Sequence, residues 1–241
     1  MNQETSVPKG HLHPMTQMIR EIQSIFETIG FEVALGPELE TEFYNFDALN
    51  IPAGHPARGM QDTFWVNALG KGKTPADKLV LRTHTSPVQI RYMQAHQPPF
   101  KIIVPGKVYR NEATDATHEA QFHQVEGLYI DEKVSLAELK GTLEYFFKKL
   151  FGDDVQMRFR PSYFPFVEPG VEVDIFYKGR WLEVMGAGPG HENVLRTAGI
   201  DPEKYSGFAF GGGIDRLIMI KYGLDDIRLL YSGDLRFVNQ F

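Results

Sequence analysis

VYRNEATDATHEAQFHQVEGL, residues 108–128, decides how the chain is read. It links two runs of strand character, KIIVPGKVYR (101–110) and FHQVEGLYI (122–130). Between them lie eleven mostly polar residues, NEATDATHEAQ (111–121). The simplest geometry is an antiparallel hairpin with a long, charged connector. Side chains alternate along a strand, so Phe122, Gln124 and Glu126 share one face. A core face does not carry Gln beside Glu, because burying them unpaired costs several kcal/mol. That face is either solvated or lines a polar pocket. The hairpin gathers Arg110, Glu112, His118, Phe122, Gln124 and Glu126. The set offers a cation for phosphate, an aromatic face for a base and acceptors for an ammonium group.

Outward from the hairpin, the pattern predicts an α+β fold on a mainly antiparallel sheet flanked by helices. Met15, Met18, Ile19, Ile22, Ile25, Phe26 and Ile29 recur at helical spacing over 14–29, and Gly30 supplies the stop. Residues 31–35 read as a short strand, 36–59 as a turn-rich stretch, and 70–78 as a Gly/Lys/Pro loop. DTFWV (62–66) and KLVLRT (78–83) read as strands, and Ser86–Gln94 as a short helix capped by Ser86. Ser135 and Glu138 form a capping box for a helix over 135–151. Strands are expected at 155–160, 171–177 and 181–185, with a Gly-rich turn at 186–190. A last helix, IDRLIMIKY (214–222), is closed by Gly223. Residues 1–10 are expected to be a lead-in, and 11–241 one catalytic domain.

The 241 residues hold no cysteine, which excludes disulfides, thiolate metal sites and cysteine nucleophiles and fits a cytoplasmic chain. No apolar run reaches the ~18 residues of a membrane span. A net charge of −6 gives no bulk attraction for nucleic acid.

Other stretches carry chemistry. GFAFGGGIDR (207–216) places three glycines before a helix with Arg216 in its first turn. Such an entry either lets backbone N–H groups meet an anion or is an ordinary tight turn. It lacks the ending of a P-loop. In SYFPFVEPG (162–170), Phe164 and Phe166 flank Pro165 on one side of an extended segment, as core or as an aromatic pocket wall. His84 and Ser86 in RTHTSP (82–87) lack the elbow of a serine hydrolase. HEAQFH places its second His at i+5, off the face a zinc helix needs. GAGPGH lacks the βαβ context of a dinucleotide site.

Together these segments resemble the catalytic α subunit of bacterial phenylalanyl-tRNA synthetases, within class II aminoacyl-tRNA synthetases. The resemblance runs over residues 11–237, from HPMTQMIREI through LRTHTSP, VYRNEATDATHEAQFHQVEGL and FRPSYFPFVEPGVEVDI to GFAFGGGIDRL and YSGDLRF. The hairpin and the Gly-plus-Arg helix entry match the second and third class II motifs. THTSP and FPFVEPG are specific to the phenylalanine branch.

The resemblance implies ATP-dependent activation of phenylalanine, with transfer to tRNA(Phe) as the parent activity, Mg²⁺ alongside ATP, and a β subunit as partner. By this likeness Arg110 and Arg216 are catalytic, and Arg110, Glu112, His118, Phe122, Gly213 and Arg216 bind ATP. His84, Ser86, Gln124, Glu126, Phe164, Phe166, Val167, Ala209 and Gly211 bind the amino acid, and Glu168 and Glu183 are candidates for Mg²⁺. The family's N-terminal coiled-coil arm, which binds tRNA, is expected to be missing. Gly54, Gly59, Pro189, Gly190, Glu192 and Gly212 depart from the family pattern. The alternative from another class is a catalytically silent synthetase-like module that binds an amino acid, an adenylate or a partner protein.

Overall fold

A computed structural model describes residues 10–59, 62–66 and 78–241. The expected lead-in up to residue 9 and the expected loop over 70–77 lie outside the described residues. Ten strands are described: β1 (Glu32–Val33), β2 (Leu39–Thr41), β3 (Trp65–Val66), β4 (Leu79–Leu81), β5 (Phe100–Tyr109), β6 (Gln121–Asp131), β7 (Gln156–Phe164), β8 (Val167–Tyr177), β9 (Arg180–Pro189) and β10 (Ser206–Gly213). The helices are α1 (Pro14–Glu27), α2 (Glu42–Asn45), α3 (Ser86–Ala95), α4 (Leu136–Phe151), α5 (Glu192–Thr197), α6 (Ile214–Tyr222) and α7 (Leu235–Val238).

The expected hairpin is β5–β6, the second and third strands of a seven-stranded sheet of order β1-β5-β6-β10-β9-β8-β7. β1 joins β5 in parallel, and every other pairing in that sheet is antiparallel. β2, β4 and β3 form a small second sheet. Strand alternation divides the core. Ile103, Val125, Phe208 and Phe210 face one layer, where α1, α4 and α6 deliver Phe26, Phe146 and Leu217. Ile102, Val104, Leu128 and Ile130 face the other, with α3, Phe46, Val194 and Leu195. In the first layer Phe26 stacks on Phe146 at 4.8 Å and on Phe210 at 5.3 Å between ring centres. Gly127 makes room for that stack, since a Cβ there would stand 2.0 Å from the Phe210 ring.

Local chemistry sets the helix ends. Gly30, at φ +85°, closes α1, and the Gly30 and Phe31 N–H groups turn back onto the Glu27 and Phe26 carbonyls. The helix proper stops at Glu27, two residues short of expectation. The Ser135–Glu138 capping box opens α4 as expected, and Gly223 closes α6 in the left-handed conformation.

Four expectations are corrected. Thr85, not Ser86, is the N-cap of α3, and Ser86 is its first residue. The turn expected at 186–190 is the end of β9. There Phe164 covers Gly186, and Val167 with the Pro169 carbonyl covers Gly188, so these glycines permit close strand approach. Gly211–Gly213 likewise belong to β10 and not to a loop. At Gly212 a Cβ would meet the Val184 carbonyl oxygen at 2.3 Å, so a larger residue has no room. Phe164 and Phe166 lie on the β7–β8 hairpin, not on one extended segment. The strands expected at 155–160, 171–177 and 181–185 extend to nine, eleven and ten residues.

Candidate active site

Where β5 and β6 leave the sheet, Arg110 is held by its own N–H to the Ala120 carbonyl at 3.0 Å. Its guanidinium lies 5.0 Å from the centre of the Phe122 ring, and its Nε donates to the Thr83 carbonyl at 3.3 Å. Burial lowers the arginine's pKa from its ordinary value, against the pull of Glu112 and Glu126. The guanidinium still stays protonated, since arginine does not deprotonate in proteins. Arg216, in the first turn of α6, is exposed, and its Nε donates to the Glu183 carbonyl at 2.6 Å.

The face of β6 that carries Gln124 and Glu126 turns out to be a pocket wall. Glu126 is 5% exposed and accepts three donors from the start of α3: the Ser86 hydroxyl at 2.6 Å, the Gln89 side-chain amide at 2.8 Å and the Thr85 N–H at 3.2 Å. These donors and the helix N-terminus favour a carboxylate. Burial outweighs them and pushes the Glu126 carboxyl up to about 7. The Ser86 hydroxyl is thus spent on Glu126 and not on a helix cap.

Two neighbouring groups are left without protein partners. Both ring nitrogens of His84 are buried and unpaired, as is the Gln124 side-chain oxygen. Burial first, then the charges of Arg110 and Arg82, hold His84 down to about 3 against the pull of the Asn45 backbone, so its imidazole is neutral near pH 7. Buried polar atoms are nearly always satisfied, so these unpaired atoms are open to a polar ligand.

These groups open onto one cavity of about 560 Å³. Phe164 and Phe166, stacked at 5.9 Å, form part of its wall with Val167, Ala209, Gly211 and Gly213. The β6–β10 register explains the grouping, because Glu126 pairs with Gly211 and Leu128 with Ala209. A Cβ at Gly211 would stand 2.5 Å from the Glu126 side chain, so glycine there leaves the carboxyl its place.

Three expected residues lie outside the cavity lining. Glu112 and His118 are exposed in the connector. There His118 Nδ1 sits 3.0 Å from Asp115, whose carboxylate also takes the Thr117 and His118 N–H groups. Glu168 is exposed and faces His191 at 3.4 Å. Glu183 lines the cavity but reaches Arg160 at 3.3 Å. Glu168 and Glu183 thus turn to different partners, His191 and Arg160, and no contact brings them together as a Mg²⁺ pair. Among the described residues no group of three or more His, Asp or Glu could hold a metal ion.

The family model for the class II core domain of tRNA synthetases (F) matches residues 2–241. A phenylalanine–tRNA ligase alpha subunit from Dechloromonas aromatica is 55% identical over 97% of this chain and 70% of its own length. One from Clostridium perfringens is 53% identical over 96% of this chain and 69% of its own. This chain belongs to the phenylalanine–tRNA ligase alpha-subunit family. At the level of fold alone, it is also similar to the solved pyrrolysyl-tRNA synthetase from Desulfitobacterium hafniense. That likeness has a TM-score of 0.70 and 17% identity, and covers 93% of this chain and 75% of that one.

Two residues in or beside this cavity escaped the sequence reading. Gln89 lies three positions after Ser86, on the same helix face, so the spacing was there to be read. Arg82 is buried under the hairpin, donating to the Lys107, Gly36 and Pro37 carbonyls. Nothing in its sequence neighbourhood signals that.

Proposed function

We infer that the chain activates phenylalanine with ATP, forming phenylalanyl-adenylate for transfer to tRNA(Phe). One observation carries the reading. A single cavity combines a buried carboxyl poised for an ammonium group, an arginine stacked on a phenylalanine, and a stacked aromatic pair. The ammonium of the amino acid pairs with Glu126 and Gln124, and its ring packs against Phe164, Phe166, Val167 and Ala209. His84 and Ser86 lie beside its polar end. Adenine stacks on Phe122, with Arg216 on the opposite side, and Gly211 and Gly213 give the backbone close approach. Glu112 and His118 belong to a connector that reaches ATP only by moving.

The chemistry then needs no general base, because the substrate carboxylate is already ionised. One carboxylate oxygen forms a bond to the α-phosphorus in line, the bond to the β-phosphate bridging oxygen breaks, and pyrophosphate leaves with that electron pair. Arg110 offsets the charge that builds on the α-phosphate, so rate comes from positioning and electrostatics. Mg²⁺ belongs to this reading as an ion carried in on ATP's phosphates.

Residues 11–241 act as the catalytic domain. The relatives are named alpha subunits, and a second type of subunit is the partner this implies. A cytoplasmic location accords with the reading, and among the described residues no helix is long and apolar enough to cross a membrane. The test is ATP–pyrophosphate exchange with each of the twenty amino acids. Exchange driven by phenylalanine supports the reading. A folded chain that binds an adenylate without exchanging would favour the silent module.

A further inference from the structure

Small residues at the β9–β10 pairing lie beside the cavity, and Gly186, Gly190, Ala209 and Gly211 line it. Gly211 pairs with Gly186, Ala209 pairs with Gly188, and the Gly190 N–H donates to the Gly207 carbonyl. Positions 186, 188 and 190 therefore share a face with 207, 209 and 211.

Packing forces four of these glycines. A Cβ would stand 2.8 Å from the Phe164 ring at Gly186 and 2.5 Å from the Pro169 carbonyl oxygen at Gly188. It would stand 2.2 Å from the Tyr129 carbonyl oxygen at Gly207 and 2.5 Å from Glu126 at Gly211. Gly190 is different. A Cβ there would meet nothing nearer than Leu195 Cδ2 at 3.8 Å, an ordinary contact. Its φ lies outside the left-handed region, so its backbone does not require glycine either. Gly190 bridges to Val167, is half-buried and lines the cavity. What its missing side chain leaves is space inside the cavity, beside the apolar Val167, Val194 and Leu195 that also line it.

We propose that Gly190 sets the upper size limit for the side chain of the activated amino acid, and that the cavity admits fused-ring aromatics larger than phenylalanine. The inference rests on the phenylalanine-activating reading and extends it to a wider substrate class. Shape decides it: a pocket lined by apolar groups discriminates by the volume left to it, and each methylene is worth about 10- to 200-fold. Adding the side chain that position 190 has room for closes the space a second ring would occupy.

The test compares two non-hydrolysable adenylate analogues, phenylalanyl and naphthylalanyl sulfamoyl adenosine, by calorimetric titration. The proteins are the wild-type chain, Gly190→Ala and Gly190→Val, the alanine variant guarding against a valine variant that fails to fold. The wild-type chain should bind the naphthylalanyl analogue within about tenfold of the phenylalanyl one, less than the ~10²-fold that one or two clashing methylenes cost. Each substitution should widen that ratio, valine more than alanine and by on the order of 10²-fold, with the phenylalanyl analogue changed far less. An unchanged ratio in the folded variants, or equal weakening of both analogues, would overturn the role of Gly190. A wild-type chain that binds only the phenylalanyl analogue contradicts the wider substrate class alone. One that binds neither contradicts phenylalanine activation itself.

Discussion

The carboxylate of Asp215 accepts the backbone N–H of His123 at 2.7 Å. Asp215 is 1% exposed and directly precedes Arg216. His123 sits between Phe122 and Gln124, on the opposite face of β6 from the cavity. One buried carboxylate thus ties the first turn of α6 to the start of β6, and with them the two sides of the proposed adenine site. The Tyr231 hydroxyl donates to the same carboxylate and lies 3.1 Å from His123 Nδ1.

Removing that hydroxyl leaves the buried carboxylate one donor short. Tyr231→Phe is expected to lower stability by about 1–3 kcal/mol. Urea unfolding measures it, and an unchanged midpoint would show that the contact carries no stability.

Buried titrating groups make stability depend on pH in two opposed ways. Burial raises the carboxyl of Asp215 to about 6 and that of Glu126 to about 7 in the fold. The fold therefore favours their protonated forms. Their contribution is full below the unfolded values, 3.8 and 4.5, and is lost as pH rises toward 6 and 7. His84 and His123, lowered by burial to about 3 and about 4, act in reverse. Their contribution is present above 6.5 and is lost as pH falls through those values. Relative to the wild-type chain, Glu126→Gln should therefore gain stability as pH rises from 4.5 to 7, and His123→Gln as it falls from 6.5 to 4. A urea series across pH gives both slopes, and parallel curves would refute the assignment.

The same carboxyl should shape the pH profile of activity. A protonated Glu126 cannot pair with an ammonium, so kcat/KM for phenylalanine should fall as pH drops through about 7. With substrate bound, the ammonium pulls that titration down, and the acid limb of kcat should lie lower. Glu126→Gln should abolish the limb and raise KM for phenylalanine by roughly 10- to 10²-fold, the worth of a charge-assisted hydrogen bond. Persistence of the limb in Glu126→Gln would assign it elsewhere.

Arg110 lies over the Phe122 ring while its Nε donates to the Thr83 carbonyl, a pair of contacts that a lysine ammonium, with no Nε, does not reproduce together. Arg110→Ala should slow exchange by on the order of 10²–10³-fold, and Arg110→Lys should recover little of it. Steady-state exchange rates report both, and lysine at the wild-type rate would reduce Arg110 to a point charge.

Alternation and helical periodicity were enough to read the β5–β6 hairpin, α1, α4 and α6, because one buried face repeats at a fixed period in each. The polar face of β6 was legible as anomalous, though not as a pocket until α3 was seen to supply three donors to Glu126. Gly186, Gly188, Gly211 and Gly212 misled the reading. Glycine signals a turn locally, whereas here residues distant in sequence, such as Phe164 and Glu126, occupy the space of the missing side chains. Ser86 reads as a cap for the same reason, since its partner lies 40 residues away.

The most direct measurement supplies ATP labelled on the α-phosphate, with phenylalanine and pyrophosphatase, and looks for the labelled product on the purified chain. Phenylalanyl-adenylate should accumulate with the wild-type chain, require phenylalanine and nearly vanish with Arg110→Ala. A folded chain that binds the phenylalanyl adenylate analogue yet forms no labelled adenylate would contradict phenylalanine activation.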